Sequence, residues 1–297
     1  MVYIFGLKSR CAMNIFNDWK FWAVFYLISS ITFAQTFKKA NRNMKDAGKL
    51  TILLEVFTAF FALFLLPFFG FKFSKNVTVY LTLLVVVVIY AVTDRLNIEA
   101  RYGLDPSVFS MLKQLSTVFL MIFGFIFLKE PVVIKKIIGA FIIISANIIL
   151  AIDRGKIKFN KYFIMCFVSN FLFAIAMLIN VNISDNFNLA FYTIMTVFLP
   201  SLLIFIFGRH SINGLIQEFN LYDKPKFLLA SFCWCLMLIA SVRAYQLGNV
   251  TVVAPILTLT SILNTIYEYL IIKNKKHFLQ KLVASILIIL GVILIRM

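Results

Sequence analysis

The sequence contains few charged residues: 14% of its 297 residues are Asp, Glu, Lys or Arg, whereas 62% are apolar. A soluble domain usually has about a quarter charged residues, so this composition excludes a water-soluble globular protein. The mean hydropathy is +0.96, and the length allows about ten membrane spans of roughly 20 residues each. Almost nothing remains for a soluble domain, and we therefore expect the function to reside within the membrane.

Residues that build metal sites and covalent centres are also scarce. There are four cysteines and two histidines. Cys233 and Cys235 have no second ligand pair nearby, and His210 and His277 fall in separate loops, so we expect no disulfide, metal or cofactor. The sequence has no phosphate-binding glycine loop and no cluster of carboxylates in an extended polar loop. It is therefore not expected to be an enzyme, and a membrane-embedded lipid-modifying transferase is the less favoured class.

The N-terminus and the charge distribution indicate the partners. Residues 1–18 lack a long apolar core with a cleavage site, so we expect an N-terminal tail and no cleaved signal peptide. The net charge is +17, but Lys and Arg occur in short runs between apolar segments, as in loops at anionic headgroups. Expected partners are membrane lipid and a small-molecule substrate, with no nucleic acid, for a monomer or homodimer. The expected location is the cell membrane, a bacterial inner membrane.

Apolar windows bounded by charge, glycine or proline predict ten spans. They are residues 20–37, 49–70, 77–97, 106–128, 132–152, 159–182, 188–207, 226–246, 250–272 and 278–296. Spans in lipid must satisfy their own peptide groups, and these runs lack the alternation of barrel strands. The predicted fold class is an all-α membrane protein.

A shift of 144 residues lays part of the second half over the first without gaps. Matched positions are Asp105 and Asn249, Ser107 and Thr251, Val108 and Val252, Leu115 and Leu259, Lys129 and Lys273, Ala140 and Ala284, and Leu150 and Leu294. The match favours two five-helix repeats, 19–153 and 154–297. An odd number of spans inserts the second repeat upside down, as in transporters that bind substrate near the midplane and alternate access.

Short segments in both halves carry a resemblance to a known family. They are Leu128-Lys129-Glu130-Pro131, Gly139 and the Ile-rich span to Asp153, then residues 243–248, Val252-Val253-Ala254-Pro255 and Gly291-Val292. These segments resemble the two repeats of EamA-type transporters in the drug/metabolite transporter superfamily. The second copy departs from the family at Asn274, where Glu is usual, and at Val283, where Gly is frequent.

The resemblance covers nearly the whole chain and implies a ten-helix carrier. Its central cavity would be lined by the first, third, fourth, sixth, eighth and ninth spans. Family members move amino acids, nucleotide sugars, phosphorylated sugars, S-adenosylmethionine or drugs. The resemblance implies cytoplasmic termini, whereas the excess of Lys and Arg in the connections on the other side places the termini outside.

Charged residues inside the spans are the first candidates for substrate binding, because they are costly in lipid and usually face the protein interior. Lys113 lies about seven residues into the fourth span, roughly 10 Å deep. The resemblance to nucleotide-sugar and sugar-phosphate carriers implies that it contacts an anionic substrate group. A lysine that snorkels or pairs internally is the alternative. Glu55 lies at similar depth, where it would pair with Lys113, couple protons to transport, or lie at the interface.

Further candidates come from the second repeat and from the ends of spans. Arg243 suits a carboxylate or phosphate, although it could equally snorkel to headgroups. Glu99 occupies the equivalent place in the first repeat, within a mixed-charge junction at 94–105 that we interpret as a salt-bridged interfacial loop or a gate. Pro255 removes a backbone donor and would loosen the ninth span. The polar residues Gln114, Asn170 and Thr258 suit either a cavity lining or hydrogen bonds between helices.

The favoured function is a secondary transporter for a small polar metabolite, anionic or zwitterionic, such as an amino acid or nucleotide derivative. A multidrug or organic-cation exporter of the same fold is the alternative, and it would rely on a buried carboxylate such as Glu55. If Lys113 and Arg243 face the cavity, anions or zwitterions fit; if Glu55 faces it alone, organic cations fit.

Overall fold

The computed structural model describes residues 17–69, 72–127, 132–153, 156–157, 160–180, 183, 186–248, 250–273 and 277–297. The predicted N-terminal tail, except for its last two residues, lies outside this part of the chain. The turn at 128–131 that contributes to the family resemblance and the departure at Asn274 also lie outside it.

Helices make up nearly all of the described chain. They are α1 (Trp19–Ala40), α2 (Ala47–Leu65), α3 (Val77–Gly103), α4 (Pro106–Leu112), α5 (Leu115–Phe127), α6 (Ile134–Ala151), α7 (Lys161–Asn180), α8 (Leu189–Phe207), α9 (Ile212–Phe219), α10 (Lys224–Leu247), α11 (Val250–Thr258), α12 (Thr260–Leu270) and α13 (Phe278–Arg296). A 3-10 turn follows α2 at Leu66–Phe68, and the two-residue strands β1 (Ile152–Asp153) and β2 (Lys156–Ile157) pair antiparallel after α6.

Seven helical segments of the described chain are long and apolar enough to cross a membrane. One of them, Pro106–Phe127, includes both α4 and α5. The prediction of an all-α, multi-pass membrane protein is therefore confirmed, because lipid offers no partner for free peptide groups and helices satisfy their own.

Polar residues cap the helices where the apolar runs begin. Asp46 accepts hydrogen bonds from the backbone N–H groups of Gly48 and Lys49 at 2.8 and 3.2 Å, at the start of α2. Asn76 and Asn188 accept in the same way at the starts of α3 and α8. Such caps satisfy N–H groups that have no partner within the helix.

The polarity of the bundle is inverted relative to a soluble protein. Large apolar side chains of α3, such as Leu81, Val85, Val88 and Val92, are more than half exposed and follow one another at helical spacing. The opposite face of α3 contains Asn97, which is buried and accepts a hydrogen bond from Ser169 at 2.6 Å. The outer surface therefore suits lipid, and the polar groups face inwards.

The helices pack in long pairs. The pairs are α1 with α10, α3 with α7, α2 with α8, and α6 with α13. In the last pair, Gly139 and Gly291 face each other so closely that a Cβ on either glycine would lie 2.6 to 2.7 Å from the carbonyl oxygen of the other. Glycine is required at both positions because any side chain would force α6 and α13 apart.

Two predicted spans are interrupted. The fourth, expected to be continuous over 106–128, breaks at Lys113 and Gln114 between α4 and α5. The ninth, expected over 250–272, breaks at Leu259 between α11 and α12. Apolarity indicates the length of a span but not a local change of hydrogen bonding within it, so neither break is visible in the hydropathy.

The mixed-charge junction is also placed differently from the prediction. The third span was expected to end at residue 97 and to be followed by an interfacial loop, whereas α3 continues to Gly103. Asp94, Glu99 and Arg101 therefore lie within α3, and the interpretation of these residues as loop residues was wrong. Asp105 alone of the acidic residues in this segment lies in the connection to α4.

Candidate functional site

The break between α4 and α5 lies beside the break between α11 and α12. Ser116 N–H donates to the carbonyl of Lys113 at 3.2 Å, a tighter turn than in a regular helix. The carbonyl of Leu112 accepts instead from the side-chain amide of Asn170 at 2.9 Å. Across the two breaks, Thr258 Oγ1 donates to Gln114 Oε1 at 3.5 Å. The Asn170 side chain thus replaces a backbone hydrogen bond that the interrupted fourth span loses, and Thr258 with Gln114 joins the two breaks.

Lys113 lies at this break and faces the interior of the bundle. Its ammonium lies 4.0 Å from the centroid of the Phe173 ring on α7. It interacts electrostatically with Asp94 of α3. The side chain is only partly covered, and within the described residues no carboxylate lies within the 4.0 Å of a salt bridge. A cation over an aromatic face without a carboxylate partner has an incompletely neutralised charge that can attract an anion.

Arg101 provides a second interior cation. Its guanidinium carbon lies 4.0 Å from the ring centroid of Phe109, 4.9 Å from that of Phe33 and 5.0 Å from that of Trp234. Its Nε is buried without a hydrogen-bond acceptor among the described residues. Ala34, Phe37 and Pro106 line a narrow crevice beside it, together with Phe109. Arg101 is thus held by aromatic rings while some of its donors are uncommitted.

The two acidic residues of the site are adjacent. The Glu55 side chain on α2 is 3% exposed, and its carboxyl group interacts electrostatically with that of Asp94 on α3. No N–H or O–H group of the described residues donates to Glu55 Oε2. Asp94 also interacts with Lys113 and Arg101. Asp94 therefore interacts with Glu55 and with the two cations, where the sequence had suggested a direct pair of Glu55 with Lys113.

We call Glu55, Asp94, Arg101 and Lys113 the inner charge cluster. The two cations lie beside aromatic rings, and neither forms a salt bridge with a carboxylate of the described residues. In a region of low dielectric, such cations attract an anionic ligand or the carboxylate end of a zwitterion.

The polar residues predicted to bind substrate have structural partners here. Asn170 bonds Leu112, and Thr258 donates to the carbonyl of Ala254 at 2.8 Å in addition to Gln114. Gln114 is half-buried beside the two breaks. Gln114 follows Lys113 in the chain, Asn170 bonds the residue before Lys113, and Thr258 bonds Gln114. They remain candidates to line the site, and their present contacts position the broken helices.

The remaining predicted residues lie apart from the inner charge cluster. Arg243 donates to Gln246 at 3.3 Å in an exposed contact near the end of α10. Glu99 forms an ion pair of 2.6 Å with Lys161, whose side chain is 63% exposed, and such exposed pairs contribute little to stability. Pro255 lies within α11, four residues before the break at Leu259.

A second cluster of charges joins the ends of several helices. Lys281 on α13 forms ion pairs of 2.9 Å with both Glu268 and Asp105. Asp105 also pairs with Lys38 of α1 at 3.1 Å. Glu268 accepts from the backbone N–H and the hydroxyl of Ser107 at 2.8 and 2.6 Å. We call these five residues the end-of-helix network.

The end-of-helix network is largely buried. Glu268 and Lys281 are 3% and 5% exposed. Partial burial alone would raise the pKa of Asp105, but Lys281 and Lys38 outweigh it and hold the pKa below its ordinary value. Glu268 stands between Tyr267 and Tyr269 in the sequence. The structure shows that it is a buried ion-pair partner, because Lys281 lies opposite it at the start of the next helix.

Fold and site together define a multi-pass α-helical membrane protein with buried charged groups. No family model matches the sequence, and no curated protein matches it. Solved structures do match: one titled only "Crystal structure of protein" aligns with 92% of this chain and 94% of its own length, at 11% identity and a TM-score of 0.50. At that identity the likeness shows a shared fold alone, and fold does not define function.

Proposed function

We propose that the protein is a secondary transporter that moves a small polar metabolite with an anionic or zwitterionic group across the membrane by alternating access. The observation that carries the proposal is the inner charge cluster. Lys113 and Arg101 face inwards beside aromatic rings, and neither has a carboxylate within salt-bridge distance among the described residues. Charged groups buried at such cost in a membrane protein usually mark a substrate or ion pathway.

The interrupted helices support the same proposal. Broken membrane helices expose backbone groups where a substrate binds, and transporters with inverted repeats place them near the midplane. Here the breaks at Lys113 and Leu259 lie next to each other, joined by Gln114 and Thr258. Those two residues are separated by 144 positions, the shift that aligns the two halves of the sequence.

We propose, further, that the chain consists of ten spans in two inverted five-helix repeats, 19–153 and 154–297. The helix pairs occur in reciprocal sets, as a two-fold axis within the membrane requires. The pair α1 with α10 has its counterpart in α7 with α3, and α10 with α2 in α3 with α8. The pairs α2 with α8 and α6 with α13 are their own counterparts. Membership in the EamA type is proposed on the sequence resemblance, with Gly139 and Gly291 meeting between α6 and α13.

The test is counterflow uptake by purified protein in liposomes. The radiolabelled probes are L-alanine, L-aspartate, L-lactate, a nucleoside monophosphate, glucose 6-phosphate and tetraphenylphosphonium. We expect exchange of at least one anion or zwitterion and none of the organic cation. Lys113→Ala and Arg101→Ala should each reduce exchange by about tenfold or more, the effect of losing a charge-assisted hydrogen bond. Lys226→Ala, at an exposed lysine paired with Asp223, is the matched control.

The outcomes separate the competing functions. Exchange of tetraphenylphosphonium alone would replace the proposal by the organic-cation exporter, for which the carboxyl pair of Glu55 and Asp94 is the favouring observation. Arg243→Ala tests the second-repeat candidate, and its contact with Gln246 predicts near-normal exchange. No exchange of any probe, with chemical change of added lipid, would favour the membrane-embedded transferase.

A further inference from the structure

We propose that the short helix α9, together with the basic residues beside it, is a docking surface for anionic phospholipid at one face of the membrane. The partner is the bilayer, which contributes the acyl chains and the negatively charged headgroups of one leaflet. The inference concerns the outer surface of the protein, and it is independent of the proposed transport function.

The position of α9 follows from the helices that it connects. Both α8 and α10 are long and apolar enough to cross a membrane, so the connection between them, residues 208–223, lies at one end of the bundle. At eight residues, α9 is about 12 Å long and too short to cross the membrane. Its Glu218 accepts hydrogen bonds from the backbone N–H groups of Lys45 and Asp46 at 2.8 and 3.3 Å. These bonds hold α9 against the start of α2.

Three faces of α9 differ in their chemistry. Leu215, on the face towards the protein, packs against buried apolar side chains from α2, α3 and α8. Ile212 and Ile216, one turn apart, are 67% and 54% exposed on a second face. Asn213 and Gln217 are also exposed and lie on the side of the helix opposite to Leu215. A helix with a protein face, an apolar face and a polar face suits the boundary between acyl chains and water.

The exposed isoleucines continue the lipid-facing surface of the bundle. Ile206 and Phe207, the last residues of α8, are 56% and 82% exposed and come shortly before Ile212. A group of large apolar side chains at the surface marks a place where a partner excludes water. Because α8 is itself a lipid-facing span, the bilayer is the partner that adjoins this surface.

Basic residues lie along the whole length of α9. Arg209 is exposed and precedes the helix by three residues. The Lys49 ammonium lies 3.3 Å from the place that a Cβ of Gly214 would occupy, near the middle of the helix. The Lys224 ammonium lies 5.6 Å from the ring centroid of Phe219, the last residue of α9. Among the described residues, no carboxylate forms an ion pair with any of these three cations.

The carboxylates near α9 have other partners. Glu218 is buried and accepts from the hydroxyl of Tyr222 at 3.0 Å as well as from the two backbone groups. Asp46 caps α2, and Asp223 caps α10 and pairs with Lys226. The described residues around α9 thus present an excess of positive charge beside an apolar stripe. This combination complements anionic headgroups above acyl chains.

The test measures which lipid contacts α9. Full-length protein with Ile216→Trp is placed in phosphatidylcholine vesicles, and the fluorescence of the wild type, which has three tryptophans, is subtracted. A small fraction of the lipid carries bromine on its acyl chains, because bromine quenches tryptophan on contact. The brominated lipid is either phosphatidylglycerol or phosphatidylcholine. We expect both to quench, with an association constant about fivefold or more higher for phosphatidylglycerol, since one basic residue at an anionic surface favours binding by about that factor.

The charge variants are made in the same Ile216→Trp protein. The first replaces the three cations beside α9: Lys49→Gln, Arg209→Gln and Lys224→Gln. It should bring the ratio of the two association constants close to one and keep the quenching, because the apolar face is unchanged. The matched control replaces three exposed lysines at the opposite end of the bundle: Lys20→Gln, Lys72→Gln and Lys75→Gln. It should keep the ratio of the starting protein.

Each contrary outcome overturns a part of the inference. If neither brominated lipid quenches the introduced tryptophan, water or a protein covers α9 and the bilayer does not. Equal association constants for the two lipids overturn the selection of anionic headgroups, and an undiminished ratio in the first variant overturns the assignment of the three cations. Salt replaces the variant if it does not fold. Raising sodium chloride from about 0.05 to about 0.5 M should lower the ratio by screening, and an unchanged ratio overturns the electrostatic docking.

Discussion

Replacement of Lys281 by Met should destabilise the protein severely, because it removes the cation between two carboxylates. Glu268 is 3% exposed and lies 2.9 Å from the Lys281 ammonium. After the substitution, the described residues leave Glu268 with the two hydrogen bonds from Ser107 and no cation. Breaking a buried ion pair at one side costs about 3 to 5 kcal/mol, and the methionine fills much of the space of the lysine stem. We therefore expect about that loss in unfolding free energy.

The converse substitution, Glu268→Gln, should cost less, about 1 to 2 kcal/mol for an altered buried hydrogen bond. Lys281 then retains Asp105 as a partner at 2.9 Å, and the glutamine can still accept from Ser107. The double variant Glu268→Gln with Lys281→Met removes both charges, and it should be more stable than Lys281→Met alone. This order follows from the asymmetry of the end-of-helix network: its lysine has two carboxylate partners, and Glu268 has one cation.

The assay is reversible unfolding by SDS in mixed micelles, followed by tryptophan fluorescence, with all four proteins in a double-mutant cycle. Lys226→Met is the matched control, because Lys226 is half-exposed and pairs with Asp223 within one helical turn. Exposed pairs contribute about 1 kcal/mol or less. The reasoning fails if Lys281→Met costs no more than Lys226→Met, or if the double variant is as unstable as Lys281→Met alone.

Three further predictions test other contacts. Gly139→Ala would place a Cβ 2.6 Å from the Gly291 carbonyl and should cost about 1 to 3 kcal/mol in SDS unfolding by overpacking. The control Ile138→Ala, on the lipid-facing side of the same helix, should cost less. Equal losses would contradict the close approach of the two helices. Asn170→Leu removes the donor to the Leu112 carbonyl and should cost about 1 to 3 kcal/mol in SDS unfolding. A variant as stable as the wild type would show that this bond does not stabilise the break. The pKa of Asp105 is lowered in the folded protein, so its contribution to stability is complete above the unfolded pKa of about 3.9 and is lost as pH falls through the folded pKa. The wild type should therefore lose unfolding free energy below about pH 4, and Asp105→Asn should lose less. Parallel pH profiles of the two proteins would refute this.

The inner charge cluster shows how far the sequence could predict the site. Lys113 and Glu55 were identified because single charges stand out in apolar runs, and a span tolerates them only at a cost. Asp94 and Arg101 were assigned to an interfacial loop, because four charges within eight residues resemble the end of a span. The structure continues α3 to Gly103, since these charges find interior partners on other helices. Hydropathy within a window cannot register partners that lie on other helices.

Three polar residues also show what could not be predicted from the sequence alone. Gln114, Asn170 and Thr258 were identified as cavity-lining or bridging residues, and they do lie around the two helix breaks. The bond of Asn170 to a freed backbone carbonyl and the contact of Gln114 with Thr258 both depend on those breaks. Pro255 signals a weak point in α11, but the break at Lys113 and Gln114 has no proline within its turn. Tertiary contacts of both broken spans decide where the helices stop.

The sequence by itself determined that this chain is an all-α membrane protein, because the cost of exposing peptide groups and charges to lipid acts on each segment separately. It also determined which segments are capped by polar residues at their starts. The tertiary structure decided which charges meet: Glu55 with Asp94, Arg101 with three aromatic rings, and Lys281 with two carboxylates. Those pairings depend on distances between helices that are far apart in the chain, and local composition contains no information about such distances.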